Sequence, residues 1–372
     1  MPQKNRRTGV DACPGALDVH QAADGGLARV RLPGGRVTSA QLRVLAAASA
    51  ELGSGGLELT SRGNAQIRGL GADGPAELGA RLASAGLLPS VSHEKVRNIM
   101  SSPLGPAGPA RSLDAALCAD PGLAALPGRF LFALDSGAGD VAWLGADVAA
   151  LPVGGRVAVL LGGVDHGVRV APGDAVAALV AAARAFLAVR DGQWRIAELG
   201  PRVASIAGGL GVSDARVPLG VPPARGPLGR LDGAVGAAVP LGRLDEAQLA
   251  VLASWPEVVI TPWRGVVVPG GRLEALVEVG LVVDADAPGI GVTACTGRPG
   301  CAKSLADVRA DALRVSRPGR PVHFAGCARR CGRPAGDVVD VVAVEGGYEV
   351  GGRVVPGDEA VGVAAAMRRE HK

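Results

Sequence analysis

Four cysteines near the C-terminus have the residue type and spacing of an iron–sulfur site. They form two close pairs, Cys295-x5-Cys301 and Cys327-x3-Cys331, in short segments rich in Gly and Pro. Thiolates are the ligands that iron–sulfur clusters require, and four of them complete a [4Fe–4S] cubane. Two pairs separated by one intervening element allow a folded domain to close around a cluster from two loops. The pattern therefore predicts a [4Fe–4S] cluster bound by these four residues.

Other uses of these thiols stay open. Structural zinc sites usually have ligand pairs two to four residues apart, so the gap between Cys295 and Cys301 is wide for zinc. Unpaired structural thiols are a further alternative. Disulfides are disfavoured because the basic N-terminal segment lacks the apolar stretch of a secretory signal. The same feature leads us to expect a cytoplasmic protein, a setting that suits a cluster sensitive to oxidants.

Composition narrows the classes of partner. The chain has 372 residues and a net charge of +4. A charge this small gives no sign of a general nucleic-acid surface. No run of about 18 uncharged apolar residues is present, so no membrane span is expected. Almost all the positive charge is arginine, whose forked guanidinium suits carboxylate ligands.

The sequence contains an internal duplication. Residues 28–60 match residues 235–261, and each begins with a strand, passes a Gly turn and enters an apolar helix. Both helices start with the spacing of a capping box, Thr38-x-x-Gln41 and Asp245-x-x-Gln248. The duplication predicts two similar strand–helix–strand units.

A second match extends the duplication. Residues 157–184 align without gaps with residues 341–368, and both predict a β-hairpin, a Pro-Gly-Asp helix start and an Ala-rich helix. A stretch rich in Pro and Gly, residues 217–233, joins the two copies. We therefore predict an α+β fold, internally duplicated about a pseudo-twofold axis. A ligand is expected at the seam between the copies, and only the second copy carries the four cysteines.

These motifs resemble the nitrite/sulfite reductase superfamily over nearly the whole chain, from about residue 12 to residue 370. Members of that superfamily duplicate a ferredoxin-like half-domain and an α/β iron–sulfur/tetrapyrrole domain. The resemblance implies that the four cysteines bind a [4Fe–4S] cluster, with Cys331 as the residue that bridges to siroheme in the siroheme enzymes. It predicts four units: a ferredoxin-like half-domain at 12–90, a tetrapyrrole-binding domain at 91–215, a second half-domain at 228–288 and a cluster domain at 289–372.

Three further motifs of the superfamily carry anion-binding residues. They are present here as Thr60-Ser61-Arg62, Arg97-Asn98 and, in place of a P-R-K-F-K motif, Pro127-Gly128-Arg129-Phe130-Leu131. A sulfite or nitrite reductase needs a group of cations to bind its anion, and Leu131 removes one of them. Arginine also holds its protons too tightly to deliver them as lysine does. The altered motif therefore indicates that the anion-reducing site is dismantled.

Within the superfamily, the chain is similar to the precorrin-3B synthase family. The similarity lies in three segments: Ala12-Cys13-Pro14-Gly15, Thr261-Pro262-Trp263-Arg264-Gly265 and His323-Phe324-Ala325-Gly326-Cys327. It implies an O2-dependent monooxygenase of aerobic cobalamin biosynthesis that hydroxylates precorrin-3A and closes a γ-lactone to give precorrin-3B. A tetrapyrrole fringed by carboxylates needs several arginine partners. The candidate tetrapyrrole-binding residues are Arg62, Arg97, Asn98, Arg129, Trp263 and Arg264.

The electrons for this reaction have to come from outside the chain. No G-x-G-x-x-G segment lies between a strand and a helix, so we expect a separate reductase or ferredoxin, supplied ultimately by NAD(P)H. Two alternatives are kept: a siroheme-dependent sulfite or nitrite reductase, and a non-catalytic iron–sulfur electron carrier or tetrapyrrole-binding protein. The sequence leaves open whether siroheme or a second iron is also bound, and it identifies no catalytic residue. His323, four residues before Cys327, is the histidine most suited to a functional role.

Overall fold

The structure, a computed structural model, describes residues 13–211, 216–218, 220–221, 223–334 and 336–369. Ala12 and the chain end at 370–372 lie outside the described residues. Within them the strands form four five-stranded sheets. Two sheets belong to ferredoxin-like half-domains and two to larger α/β units, in alternation along the chain. We refer to residues 20–210 as the first copy and residues 229–369 as the second copy.

The first half-domain is built from alternating strands and two helices. Its elements are β1 (His20–Ala22), β2 (Gly25–Val30), β3 (Arg36–Thr38), α1 (Ser39–Leu52), β4 (Leu57–Leu59), β5 (Ala65–Leu70) and α2 (Gly74–Ser84). Ala28 and Val30 of β2 are buried, as the alternating pattern predicts. The predicted capping box is confirmed, because Gln41 N–H donates to Thr38 Oγ1 and Thr38 N–H donates to Gln41 Oε1.

The first α/β unit follows. Its elements are β6 (Ile99–Ser101), α3 (Gly108–Cys118), β7 (Phe132–Leu134), β8 (Val148–Val153), β9 (Arg156–Leu161), β10 (Val164–Val170), α4 (Ala175–Val189) and α5 (Val203–Leu210). β6, β7 and β8 are parallel, and β9 and β10 complete the sheet as antiparallel strands. Side chains of the three helices pack against one face of this sheet around Phe130, Phe132 and Phe186.

The second half-domain repeats the first. Its elements are β11 (Gly229–Leu231), β12 (Ala234–Ala238), β13 (Arg243–Leu244), α6 (Glu246–Leu252), β14 (Glu257–Ile260), β15 (Gly265–Pro269) and α7 (Leu273–Glu278). The second predicted capping box is also confirmed, since Gln248 N–H donates to Asp245 Oδ1 at 2.8 Å.

The second α/β unit repeats the larger sheet in a shorter form. Its elements are β16 (Val292–Ala294), α8 (Val308–Leu313), β17 (Val322–Ala325), β18 (Val339–Val344), β19 (Gly347–Val350), β20 (Arg353–Val355) and α9 (Gly357–Met367). β16, β17 and β18 are parallel, and β19 and β20 are antiparallel. The mixed, duplicated α+β architecture predicted from the sequence is therefore confirmed.

The two half-domains exchange one strand each. β3 of the first copy pairs with β14 of the second, and β13 of the second copy pairs with β4 of the first. The half-domains also share one hydrophobic core, in which Leu57 and Leu252 are both buried. This reciprocal exchange is the pairing expected of two copies related by a pseudo-twofold axis.

The gapless match between residues 157–184 and 341–368 predicts a hairpin and a helix in both segments, and both are confirmed, but the match pairs strands that are not equivalent. By sheet order β8, β9 and β10 correspond to β18, β19 and β20, whereas the match places β9 over β18. The strands of the second copy are shorter, and runs of Val, Ala and Gly align almost equally well in either register. Sequence similarity in such a segment therefore does not fix strand equivalence.

One helical segment resembles a membrane span by length and composition. Among the described residues, Pro172–Val189 is the segment that is long and apolar enough to cross a membrane. α4 within it buries Leu179, Ala182 and Phe186 in the core of the first α/β unit. Core helices of this kind pass the same test, so the segment is weak evidence for a membrane span.

Candidate functional site

The four cysteines lie at one edge of the second α/β sheet. The carboxyl ends of parallel strands meet at a single edge, where ligands of α/β sheets commonly bind. Cys295 follows β16 directly, and Cys327 follows β17 after one intervening residue. Both cysteine pairs therefore begin at the same edge. We call residues 295–304 and 326–333 the cysteine loops.

Backbone contacts join the two cysteine loops. Gly326 N–H donates to Cys295 Sγ at 3.1 Å, and Leu305 N–H donates to Gly326 O at 2.8 Å. Position 326 requires glycine because a Cβ there would collide with the Ser304 side chain. Burial raises the pKa of the Cys295 thiol, so a thiolate at this position needs a metal or another positive charge to stabilise it.

A cavity of about 800 Å³ opens between the two copies. All four cysteines line it. The first half-domain contributes Arg29, Glu58, Thr60, Ser61 and Arg68, and the second half-domain contributes Leu241, Gly242 and Arg264. The volume falls in the range of small-molecule and cofactor sites, roughly 300–1,000 Å³. The cavity thus lies at the seam where the duplication predicts a ligand.

The cavity wall carries more positive than negative charge. Its acidic residues are Asp24 and Glu58. Arg68 donates two hydrogen bonds to Asp24, at 2.7 and 2.8 Å, and Arg309 forms an ion pair with Glu58. These contacts neutralise two of the arginines. In the part of the chain that the structure describes, no hydrogen bond or ion pair involves the guanidinium of Arg264 or Arg329, or the ammonium of Lys303.

Arg264 has an unusual backbone conformation. Its φ is +57°, in the left-handed region that few residues other than glycine adopt. The same turn in the first copy has Gly63 at this point, with φ of +67°. Burial lowers the pKa of the Arg264 guanidinium, and Glu58 opposes the change. A strained arginine that faces a cavity is typical of a functional position.

Arg31 and Arg62 form a second group of arginines, which does not line the cavity. Burial and the charge of Arg29 lower the pKa of Arg31 to about 9, and burial and Arg195 lower the pKa of Arg62. Arg31 is 2% exposed, and its Nη1 has no hydrogen-bond partner within the described residues. Arg62 Nη1 donates to Arg129 O at 3.1 Å. Arg62 directly follows Ser61 of the cavity wall, so its guanidinium adds positive charge next to the cavity.

The remaining candidate residues have local partners. Arg97 is buried and donates to both carboxylate oxygens of Asp114 at 2.7 Å, inside the first α/β unit. Asn98 donates to Gly128 O at 2.6 Å and accepts from Asn64 Nδ2 at 3.1 Å. Neither residue lines the cavity. Their assignment to tetrapyrrole binding stays a prediction, and the contacts give both a structural role.

No residue of the segment that replaces P-R-K-F-K lines the cavity. The Arg129 guanidinium lies 5.1 Å from the ring centroid of Trp194, and Leu131 is buried in an apolar cluster. Asp147 fixes this segment by accepting from Leu131 N–H at 2.9 Å, and burial raises the pKa of that carboxyl to about 6. Trp263 packs against the same apolar cluster.

Trp263 also anchors the chain that joins the copies. Its Nε1–H donates to Pro223 O at 2.9 Å, and the residue does not line the cavity. Of the six predicted tetrapyrrole-binding residues, the structure places Arg264 in the cavity wall and Arg62 beside it. Sequence reasoning missed Arg29, Arg68 and Arg309. The alternating Arg29 and Arg31 on β2 were the available signal, and the strand pattern alone did not show which face meets a ligand.

The donor set fits an iron–sulfur cluster. Four free thiols converge on one cavity, and a backbone N–H already points at the Cys295 sulfur. Within the described residues, no three His, Cys, Asp or Glu side chains form a group that could hold a single metal ion. A cubane takes one cysteine on each of four irons, so its ligands are spread around the cluster.

Comparisons with known proteins agree with this fold. Residues 20–85 match the sequence model described as "Nitrite/Sulfite reductase ferredoxin-like half domain". Among solved structures, the chain is similar to "Structure of Mycobacterium tuberculosis NirA protein", with a TM-score of 0.67. The two are 22% identical, over 87% of this chain and 73% of that chain. An identity this low shows the fold alone. A search of curated proteins found no match.

Proposed function

For a chain with the nitrite/sulfite reductase half-domain and the fold of NirA, we propose an oxygenase function. The protein would be an iron–sulfur oxidoreductase of aerobic cobalamin biosynthesis that converts precorrin-3A to precorrin-3B. The observation that supports this most strongly is the seam cavity of about 800 Å³, which brings the four cysteines and arginines of both copies to one space.

Each wall of the cavity has a distinct task in this proposal. Cys295, Cys301, Cys327 and Cys331 hold a [4Fe–4S] cluster, which when bound supplies single electrons. Arg264, Lys303 and Arg329 bind carboxylates at the rim of the macrocycle, because they have no protein partner that competes. Arg68 and Arg309 are held in place by Asp24 and Glu58 and shape the wall.

The overall reaction balances with an external donor. One O2, two electrons and two protons are consumed. One oxygen atom enters the macrocycle as a hydroxyl group, the other leaves as water, and an acetate carboxylate of the substrate closes the lactone. The chain's own residues bind the macrocycle, orient it and exclude water. We propose that a cytoplasmic reductase or ferredoxin, ultimately supplied by NAD(P)H, delivers the electrons.

A siroheme-dependent sulfite or nitrite reductase is the second candidate. The match of residues 20–85 to the nitrite/sulfite reductase half-domain favours it. The altered segment counts against it, because Leu131 is buried and Arg129 lies over Trp194. Lys303, on a cysteine loop, is the single lysine among the described residues of the cavity wall. The chain therefore has fewer cations and proton donors for the reduction of a small anion than an intact P-R-K-F-K motif would provide.

Turnover with labelled oxygen tests the proposal. The anaerobically purified, cluster-loaded protein is mixed with precorrin-3A, a chemical one-electron donor and 18O2. We expect a product heavier by one 18O atom, and a Cys327→Ser variant that makes none. Reduction of sulfite or nitrite without any oxygenated product would support the reductase instead. Binding of precorrin-3A without turnover would support a carrier or tetrapyrrole-binding protein.

A further inference from the structure

His323 lies directly beneath the second cysteine loop. It belongs to β17 and is 0% exposed. β17 pairs in register with its neighbours, so His323 shares one sheet face with Thr293 and Asp340. The adjacent Val322 and Phe324 point to the other face, into the core of the unit. The imidazole is therefore outside that core, and a Cβ at Gly332 would lie 4.0 Å from its Cε1 atom.

The two ring nitrogens of His323 differ in their partners. Nδ1 lies 2.9 Å from Thr293 Oγ1, whose hydroxyl is also placed to donate to Val322 O at 3.1 Å. Nε2 is buried and has no hydrogen-bond partner within the described residues. Buried polar atoms are nearly always hydrogen-bonded, so an unpaired imidazole nitrogen needs an explanation. Burial lowers the pKa of His323 to about 4, so the ring is neutral near pH 7 and carries one N–H.

His93 shows what a buried histidine without such a role looks like. It is 3% exposed in the first copy. Its Nδ1 contacts the hydroxyls of Ser90 and Ser92 at 2.8 and 3.0 Å, and its Nε2 lies 2.9 Å from Asp120 O. Both nitrogens are thus satisfied by the fold itself. At His323 the fold satisfies one nitrogen and leaves the other unpaired beside the second cysteine loop, where the Cys331 backbone opposes the fall in the pKa of the ring.

We propose that His323 is a positioning residue for the cluster. Its Nε2–H would donate to the backbone carbonyl of Cys331 when the cluster is bound, and the Thr293 hydroxyl would then turn from Val322 O to donate to Nδ1. This bond fixes the loop whose thiol, Cys331, is the most exposed of the four. Hydrogen bonding and solvent exposure around a cluster help to set its reduction potential. The inference rests on the cluster in the proposed function and is independent of the tetrapyrrole.

The experiment compares His323 variants in the anaerobically cluster-loaded full chain. We expect His323→Leu to lose iron or to shift the midpoint potential by about 59 mV, a tenfold change in the redox equilibrium for one electron. His323→Gln, whose amide can donate at the same point, is expected to keep most of the iron and a potential near that of the unaltered protein. Thr293→Val is expected to lower the iron content or shift the potential, and Thr293→Ser to leave both unchanged. His93→Gln, the matched control, leaves iron content, EPR spectrum and potential unchanged.

A measurement on the unaltered protein keeps the inference testable if His323→Leu does not fold. 15N NMR of ring-labelled histidine in the oxidised, cluster-loaded protein reports which nitrogen carries the hydrogen. We expect Nε2–H. An Nδ1–H tautomer, or a His323→Leu protein with full iron content and an unchanged potential, overturns the inference. None of these readouts needs substrate, so failure of precorrin turnover leaves them unaffected.

Discussion

The two α/β sheets share one topology and differ at the edge where a ligand binds. In the first copy, Asp135 follows β7 and fills that edge with its own carboxylate. Oδ1 accepts from the backbone N–H of Gly137 and Gly139 at 2.8 and 2.9 Å, and Oδ2 accepts from Val141 and Ala142 at 3.0 Å. We call residues 135–142 the aspartate loop. In the second copy, the equivalent edge carries the cysteine loops.

The comparison shows which edge is complete without a ligand. The aspartate loop is held by an internal anion that satisfies four backbone N–H groups. The cysteine loops contain no Asp or Glu, and their charged residues are all basic: Arg298, Lys303, Arg329, Arg330 and Arg333. A [4Fe–4S] cluster with four thiolates is an anion of the kind that such loops lack. On the proposed function, the duplication kept the scaffold and changed the source of negative charge at one edge.

The largest expected effect comes from removing a cysteine. We expect Cys327→Ser to lose nearly all iron and sulfide while the first copy stays folded. The reason is that a cubane needs its four thiolates, whereas the aspartate loop needs none. Iron and sulfide content per chain measures the cluster, and circular dichroism measures whether the chain stays folded. Cys118→Ser in α3 is the control. Equal loss of iron in both variants would contradict the assignment of the cluster to the cysteine loops.

The matching change in the first copy removes the Asp135 carboxylate from the aspartate loop. Asp135→Ala leaves four backbone N–H groups without their acceptor, so we expect a loss of roughly 3–5 kcal/mol in the free energy of unfolding. Asp135→Asn keeps one acceptor oxygen and is expected to lose less. Denaturant unfolding of both variants measures the effect. Equal stability of Asp135→Ala and the unaltered protein would contradict the role given to this carboxylate.

Substitutions of Arg97 and Arg264 are expected to have different effects, the first on stability and the second on tetrapyrrole binding. Arg97→Ala leaves Asp114 without its partner, and we expect it to destabilise the protein by about 3 kcal/mol. Arg264→Gly removes a cavity cation and relieves a left-handed backbone, so we expect weaker tetrapyrrole binding with stability raised by up to about 1 kcal/mol. Thermal unfolding and a binding titration check both. If Arg97→Ala bound the tetrapyrrole more weakly and Arg264→Gly did not, Arg97 rather than Arg264 would belong to the binding site.

The smallest effect concerns the half-domains, which the duplication left alike. Thr38→Ala and Asp245→Ala each remove one capping box, and we expect each to cost about 1 kcal/mol of stability. Denaturant unfolding of the two variants measures both losses. A loss several times larger for one cap would show that the two half-domains are less equivalent than their shared core suggests.

Local signals in the sequence predicted much of this fold. The capping boxes at Thr38 and Asp245 fixed the start of two helices, and the duplicated order of elements indicated the architecture. The strand exchange could not be predicted, because β3 and β13 are short and their pairing depends on the packing of both copies. Strand equivalence in the α/β sheets was also lost, since Val- and Gly-rich segments align in more than one register.

The candidate site was predictable in part for similar reasons. Cysteine spacing reports ligand chemistry directly, so those four residues could be found from sequence. Arg97 was singled out by a short motif, and burial against Asp114 gives it a structural role that no motif shows. Arg29 and Arg309 line the same cavity from different copies, which only the packing of both copies shows. Asp135 was missed because its four hydrogen bonds run to its own loop, which no spacing rule marks.

We propose above all that the second edge holds a [4Fe–4S] cluster in a cavity built for a tetrapyrrole substrate. An absorption spectrum of the anaerobically purified protein, with iron and sulfide counted on the same sample, tests it most directly. We expect a broad brown shoulder, about four irons and four sulfides per chain, and no Soret band. Stoichiometric siroheme bands, or a protein without iron after cluster reconstitution, would contradict it.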